Sequence, residues 1–274
     1  MCGFPVIHLQ KHLKTLVQQN GRFVALCEEF ARSVPPGTRP SYDRRVVRIV
    51  TPGTLIDEPF LNHYENNYLL AISPAASPSF AEPDDMSLAW IDVSTGEFFT
   101  KSTTVEGLYD DIVRLHPREV VLPRKMESVR PCPVREMVRG ESTVVSYFDT
   151  ATPTHQRSPP HLVPVPDVSV NAGPTASTLS SQESSAVGLL TGYLQSNLLE
   201  YMPSLSAPSK VTETRMEIDA HTLKSLEIRE GVHEGGTIGT LLGCVKRTVS
   251  SSGTRLLSRL LCASPLPYSP FVQS

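Results

Sequence analysis

The stretch LAWIDVSTGEFFT, residues 88–100, decides the fold. Leu88, Ala89, Trp90, Ile91 and Val93 form an apolar, β-prone run, and Phe98, Phe99 and Thr100 resume it after Ser-Thr-Gly. This reads as an antiparallel hairpin, with strands over 88–93 and 97–100 and Gly96 at the turn position that needs a positive φ. The same residues admit another chemistry. Metal-assisted phosphodiester cleavage needs several carboxylates converging on Mg²⁺. Asp92, Glu97, Asp110 and Asp111 are the only set that could supply them. Asp110 and Asp111 are adjacent on a helical stretch and diverge, so the turn is the better reading. A Mg-dependent nuclease using Asp92 and Glu97 stands as the alternative.

Working outward, RVVRIV (45–50) and YLLAI (68–72) read as strands before the hairpin, while 105–115 reads as a helix and 119–122 as a short apolar strand after it. Antiparallel strands, a helix and a further strand predict an α/β unit of the ribonuclease-H-like kind. Arg44, Arg45 and Arg48 could grip a polyanion or form the charged outer face of a half-buried strand; the strand face is the simpler account. At the amino end, Leu9, Leu13, Leu16 and Val17 have helical spacing over 8–19, and 22–27 reads as a strand. A Pro-rich link covers 34–40.

Residues 150–182, rich in Pro, Ser and Thr, read as a linker. The last unit, 183–274, reads as all-α. An amphipathic helix spans 184–199, Asp219 caps a helix that runs to Gly231, and two more helices cover 237–245 and 253–262. Arg255 and Arg259, four residues apart, share a helical face opposite leucines. That face could run along phosphates, but a solvated or internally paired face explains it as well.

The chain has 274 residues and a formal net charge of −3, so no global basic field advertises nucleic acid. It contains no run of about 20 apolar residues that would span a membrane. The five cysteines (Cys2, Cys27, Cys132, Cys244, Cys262) show no metal-ligand spacing and read as free thiols. Of the eight histidines, His8, His12, His63, His116, His221 and His233 are dispersed along the chain. HEGGTIG (233–239) lacks phosphate-loop spacing, and no Walker A motif occurs.

Four segments, taken in order, carry a resemblance. MCGFPVIHLQKHLKTLVQQNGRFVALCEEF, RRVVRIVTPGTLIDE, NNYLLAI with AWIDVSTGEF, and MEIDAHTLKSLEIREG with GTLLGCVKRTVSSSGTRLLSRLLCASPL resemble the MutS family of DNA mismatch-repair proteins, most of all its fungal mitochondrial branch. The resemblance implies the end of a mismatch-binding domain over 1–34, a connector domain over 42–149, the linker over 150–182 and the start of a helical core or lever domain over 183–274. It implies binding of mismatched double-stranded DNA coupled to ATP and Mg in the full-length family, with no cofactor held by this chain. It also implies repair-pathway partners for the connector, no membrane, and a mitochondrial location despite the lack of a transit peptide. The family's Phe-x-Glu mismatch reader would lie before Met1, and its ATPase and dimerisation elements beyond Ser274, so an interior piece, not catalytic by itself, is expected. Gly3, Phe4 and Pro5 would lie nearest the DNA, with Arg48 a further candidate contact.

Overall fold

The computed structural model describes residues 3–32, 41–56, 65–74, 86–141, 143–149, 179–202, 205–211, 216, 218–231 and 236–263. The proposed link at 34–40 and residues 150–178 of the proposed linker lie outside them.

The amino-terminal helix is composite, with a 3-10 turn Val6–His8, α1 Leu9–Leu13 and a π-helical stretch Lys14–Gln19. Its apolar side puts Leu13 and Val17 against Val50 and Leu55, a small cluster of its own. Strand β1 (Val24–Ala31) pairs antiparallel with β2 (Tyr42–Val50), from Val24 opposite Val50 to Ala31 opposite Tyr42. Residues 45–50, expected to open the sheet of the second unit, therefore belong to a separate two-stranded ribbon. Sequence neighbours pair readily as antiparallel strands, and β1 supplies the nearest unpaired edge.

The main sheet has six strands. These are β3 (Tyr68–Pro74), β4 (Met86–Asp92), β5 (Glu97–Thr103), β6 (Glu119–Pro123), β7 (Val144–Phe148) and the two-residue β8 (Ser209–Lys210). Their order is β7-β6-β3-β4-β5-β8. Strands β3, β4 and β5 form an antiparallel meander; β6 runs parallel to β3, and β7 parallel to β6. The continuous apolar run of β3 has its reason here, since Tyr68 through Ile72 are all buried and the central strand is covered on both faces.

One face of the sheet carries Tyr68, Leu70, Ile72, Leu88, Trp90, Val120 and Leu122. It packs with Leu108 and Ile112 of α2 (Val105–Leu115) and with Val134 and Val138 of α3 (Pro133–Gly140). Helix α2 starts where Thr104 accepts from the Gly107 amide and ends at His116, whose φ is +50°. The opposite face, with Leu69, Ala71, Ala89, Ile91 and Val121, is covered by α4 (Ser181–Leu198). Composition assigns the first turn of α4 to the linker and the helix itself to the all-α unit. Instead Ser180 and Glu183 form a capping box that starts it three residues earlier than expected, and its apolar side closes the sheet.

Helices α5 (Ala220–Ser225), α6 (Leu241–Val245) and α7 (Ser251–Cys262) complete the described chain. Asp219 caps α5 as its sequence predicts, but α5 stops at Ser225 and α6 starts at Leu241, both shorter than the patterns suggest. Ala220, Leu223, Ile228 and Cys262 pack with Val113 of α2, so these helices lean on the sheet unit.

Candidate functional site

The most connected polar group lies where the ribbon meets the sheet. Glu119, the first residue of β6, has no exposed surface. Its Oε2 accepts from the Thr51 hydroxyl at 2.5 Å and the Gly53 amide at 2.8 Å. Its Oε1 accepts from Ser146 Oγ and from the Tyr193 hydroxyl, each at 2.5 Å. Four donors from three chain segments thus converge on one buried carboxylate: two from the Thr-Pro-Gly-Thr turn after β2, one from β7 and one from α4. Burial, reinforced by the Glu119 charge, pushes the Tyr193 phenol far above its ordinary value, which keeps it a donor.

The turn is built to approach this acid. A Cβ on Gly53 would stand 2.6 Å from Leu69 Cδ1 and 2.8 Å from Glu119 Cβ, so glycine is required by space. Thr54 Oγ1 accepts from the Thr51 amide at 2.9 Å, closing the turn on itself. Arg48 is 5% exposed; its Nη2 donates to the Thr54 carbonyl at 3.2 Å, and its guanidinium lies 6.0 Å from the Tyr201 ring centre. With the donors all directed at one carboxylate, the arrangement fixes position and leaves no lone pair for proton transfer.

The other arginines of β2 face outward and are paired across the ribbon. Arg44 meets Glu29 at 2.7 Å, and Arg45 lies 5.4 Å over the Phe30 ring. Gly3, Phe4 and Pro5 lie together on the surface, where Phe4 packs against His12 with ring centres 4.5 Å apart. Arg48 belongs to the joint instead, so the structure does not bring the four candidate DNA contacts together.

Asp92 and Glu97 sit opposite each other in the β4–β5 register, joined by a turn in which Gly96 has φ +76°. The buried Asp92 carboxylate accepts from the Ser94 amide at 2.9 Å and the Ser94 hydroxyl at 2.5 Å. Arg255 of α7 reaches both Asp92, at 3.6 Å, and Ser94, at 3.0 Å. Asp110 turns away to accept the Ala220 amide, whereas Asp111 pairs with Lys101 and Arg114. Among the described residues no three His, Cys, Asp or Glu side chains gather as metal ligands. Asp92, bonded to its own turn and a cation, does not fit a Mg²⁺ ligand set.

Sequence reading missed Glu119, which it took as the start of an apolar strand, and it missed β7 altogether. The available signal was a lone acid flanked by Val120 and Val121, since a buried charge requires partners. Nothing local indicates that those partners are Thr51, Ser146 and Tyr193.

With this geometry in place, comparison with known proteins separates the same two units. The family described as MutS domain I matches residues 1–59, and MutS domain II matches 67–206. The chain belongs to the MutS family. It is 34% identical over 269 residues to the DNA mismatch repair protein MutS of Dinoroseobacter shibae, covering 97% of this chain and 29% of that protein. It is 33% identical over 268 residues to that of Rhodopseudomonas palustris strain HaA2, covering 96% and 28%. With that of Rhizobium meliloti it shares 34% identity over 274 residues, covering 97% and 28%. The chain thus spans under a third of the length of these curated relatives. The Glu119 network ties the domain I match, through Thr51 and Gly53, to the domain II match, through Ser146 and Tyr193.

Proposed function

We propose that this chain acts in DNA mismatch repair as the segment that sets a mismatch-binding unit against its connector. The observation that carries this reading is the Glu119 network, which fixes the exit turn of the ribbon to the six-stranded sheet. Its relatives are named as mismatch-repair proteins, and a packed, hydrogen-bonded joint of this kind can carry coupling between neighbouring units. The boundaries 1–34, 42–149, 150–182 and 183–274 serve as the working division, with α4 returning to cover the connector sheet. A ribonuclease-H-like connector is supported by a three-strand antiparallel meander continued by two parallel strands.

Mismatched double-stranded DNA is the proposed substrate of the whole protein, approached here by the backbone of Gly3, Phe4 and Pro5. ATP and Mg are proposed to belong to the ATPase of the full-length family; among the described residues no three acid, His or Cys side chains gather as a metal-ligand set. Repair-pathway proteins are the proposed partners of the connector. The mitochondrion is the proposed location, on the likeness to the fungal branch.

Disrupting the gene that encodes this chain should raise the spontaneous base-substitution rate in a mitochondrial reporter, with a nuclear reporter unchanged. An increase confined to the nuclear reporter would move the protein to the nucleus. No change in either reporter would sink the mismatch-repair reading.

A further inference from the structure

Strand β7 (Val144–Phe148) forms one edge of the six-stranded sheet, with β6 as its neighbour on the inner side. Alternate amides and carbonyls of an edge strand point away from its one neighbour. Among the described residues nothing outside β6 bonds to the main chain of Val144–Phe148. The ribbon comes near at the start of the strand, where Gly21 neighbours a methyl of Val144, a side-chain approach that leaves the backbone edge open. VVSYF carries neither proline nor charge, the usual guards against strand addition. The opposite edge, β8, is two residues long and holds Lys210.

Cations flank the open edge. The connection from β6 to β7, residues 124–140, holds five cations against Glu127 and Glu136, in a chain whose net charge is −3. The 3-10 turn Arg124–Glu127 and α3 both pack on β7. Arg135 of α3 reaches across to β7, its Nε donating to the Tyr147 hydroxyl at 2.7 Å, and its Nη2 donates to the carbonyls of Met126 and Glu127. Those partners are neutral. Arg139, one helical turn further on, shares that flank of α3 and is exposed. Glu127 lies 4.0 Å from Arg124, whereas Lys125, Arg130 and Arg139 have no ion-pair partner among the described residues.

We propose that the open edge of β7 takes up an extended, acidic segment of another protein, which adds to the sheet as a further strand. Main-chain bonds to β7 supply affinity, and acidic side chains at every second position meet Arg135 and Arg139 on the α3 side. Charge decides against the other occupants. A second copy pairing edge to edge would set the same cations against one another. Residues 150–178, which follow β7 in the chain, hold six prolines and one acid, Asp167, a composition that suits neither a strand nor the charge. Duplex DNA would engage the cations and leave the main chain of β7 unused. The proposal names the chemistry of the partner proposed for the connector and rests on that reading.

The complete chain would be titrated by fluorescence anisotropy with a labelled peptide of about eight residues alternating glutamate and valine. A peptide alternating lysine and valine and a labelled DNA duplex serve as controls. We expect the glutamate peptide to saturate with a Kd at or below about 100 μM, and the lysine peptide not to bind. Methylating one alternate set of the peptide's amide nitrogens should abolish binding and methylating the other set should leave it, because one set faces β7. Lys125→Glu combined with Arg139→Glu should weaken binding at least about tenfold. Far-UV circular dichroism checks that this variant is folded, and the methylated peptides test the edge on the wild type whatever it shows. No saturation up to about 1 mM, equal binding of the lysine peptide, indifference to both methylations, or unchanged affinity in the folded variant overturns the site. Tighter binding of the duplex than of the glutamate peptide, lost in the same variant, makes the surface one for nucleic acid and overturns it too. The peptide reads this edge and the mutation-rate reporters read the repair role, so the two readings fail separately.

Discussion

Glu119 shows how much a single residue can hold when its surroundings leave it no alternative. Replacing it with glutamine preserves shape but presents one acceptor oxygen and an amino group to donors arranged for two. The amide oxygen can face Gly53 and Thr51 while the NH2 faces Ser146 and Tyr193, but those two hydroxyl protons then lose their acceptor and every bond loses its charge assistance, so Glu119→Gln should cost about 2–3 kcal/mol. That corresponds to a fall in Tm of roughly 5–10 °C for a chain of this size. A thermal melt that matches the wild type would remove Glu119 from its central place. Gly53→Ala forces a methyl against Leu69 and Glu119 itself and should cost about 1–3 kcal/mol. Because both changes disturb one contact, the double variant should lose less than the sum of the two, by more than about 0.5 kcal/mol. Strict additivity in chemical denaturation would show that the turn and the acid act separately.

Among the elements, α4 depends most on its first turn. Ser180 Oγ accepts from the Glu183 amide at 3.1 Å, and the Glu183 carboxylate accepts from the Ser180 amide at 2.8 Å. Burial alone would raise the Glu183 pKa. The bonds from the Ser180 amide, Lys210 and Ser102 outweigh it and hold the group below its usual value of 4.5. A carboxyl whose folded pKa is depressed stabilises the fold above the unfolded value and loses that contribution as pH falls through the folded one. Glu183→Gln keeps a residue able to complete a capping box but removes the charge. Its Tm should lie below that of the wild type at pH 7, and the gap should close as pH drops below about 4.5. A gap independent of pH would show that Lys210 and Ser102 contribute nothing through the charge.

The β4–β5 hairpin was legible because its β-prone apolar runs, its turn chemistry and Gly96 are all local. The cap of α5 was legible for the same reason. Helix α4 was displaced because a run of serines looks like linker until the sheet face that needs it, Leu69, Ala71 and Ile91, is seen. Strand β7 hides in VVSYF, too short to declare itself without β6 beside it. The joint was invisible because its partners lie far apart in the chain.

For the whole molecule, burial is unequal. The sheet is packed on both faces, while among the described residues the ribbon and its helix share a small cluster of Leu13, Val17, Val50 and Leu55 edged by Leu9, Val24 and Leu26, with Val6, Ile7 and Phe23 left exposed. Local opening tracks such differences in packing. Amides of β1 should therefore exchange with deuterium at least about tenfold faster than those of β3 and β4. Equal protection in both would mean that ribbon and sheet unfold as one.

The return of α4 to the sheet has a consequence for synthesis. As the chain leaves the ribosome, β3 through β7 emerge with one apolar face uncovered, and its cover arrives only after the long Pro- and Ser-rich stretch has been made. Throughout that interval Leu69, Ala71, Ala89, Ile91 and Val121 face solvent on a nascent chain, a surface of the kind that holding chaperones retain. The number of residues in 150–178 therefore sets a delay in time, and shortening that stretch should hasten closure of the sheet during translation.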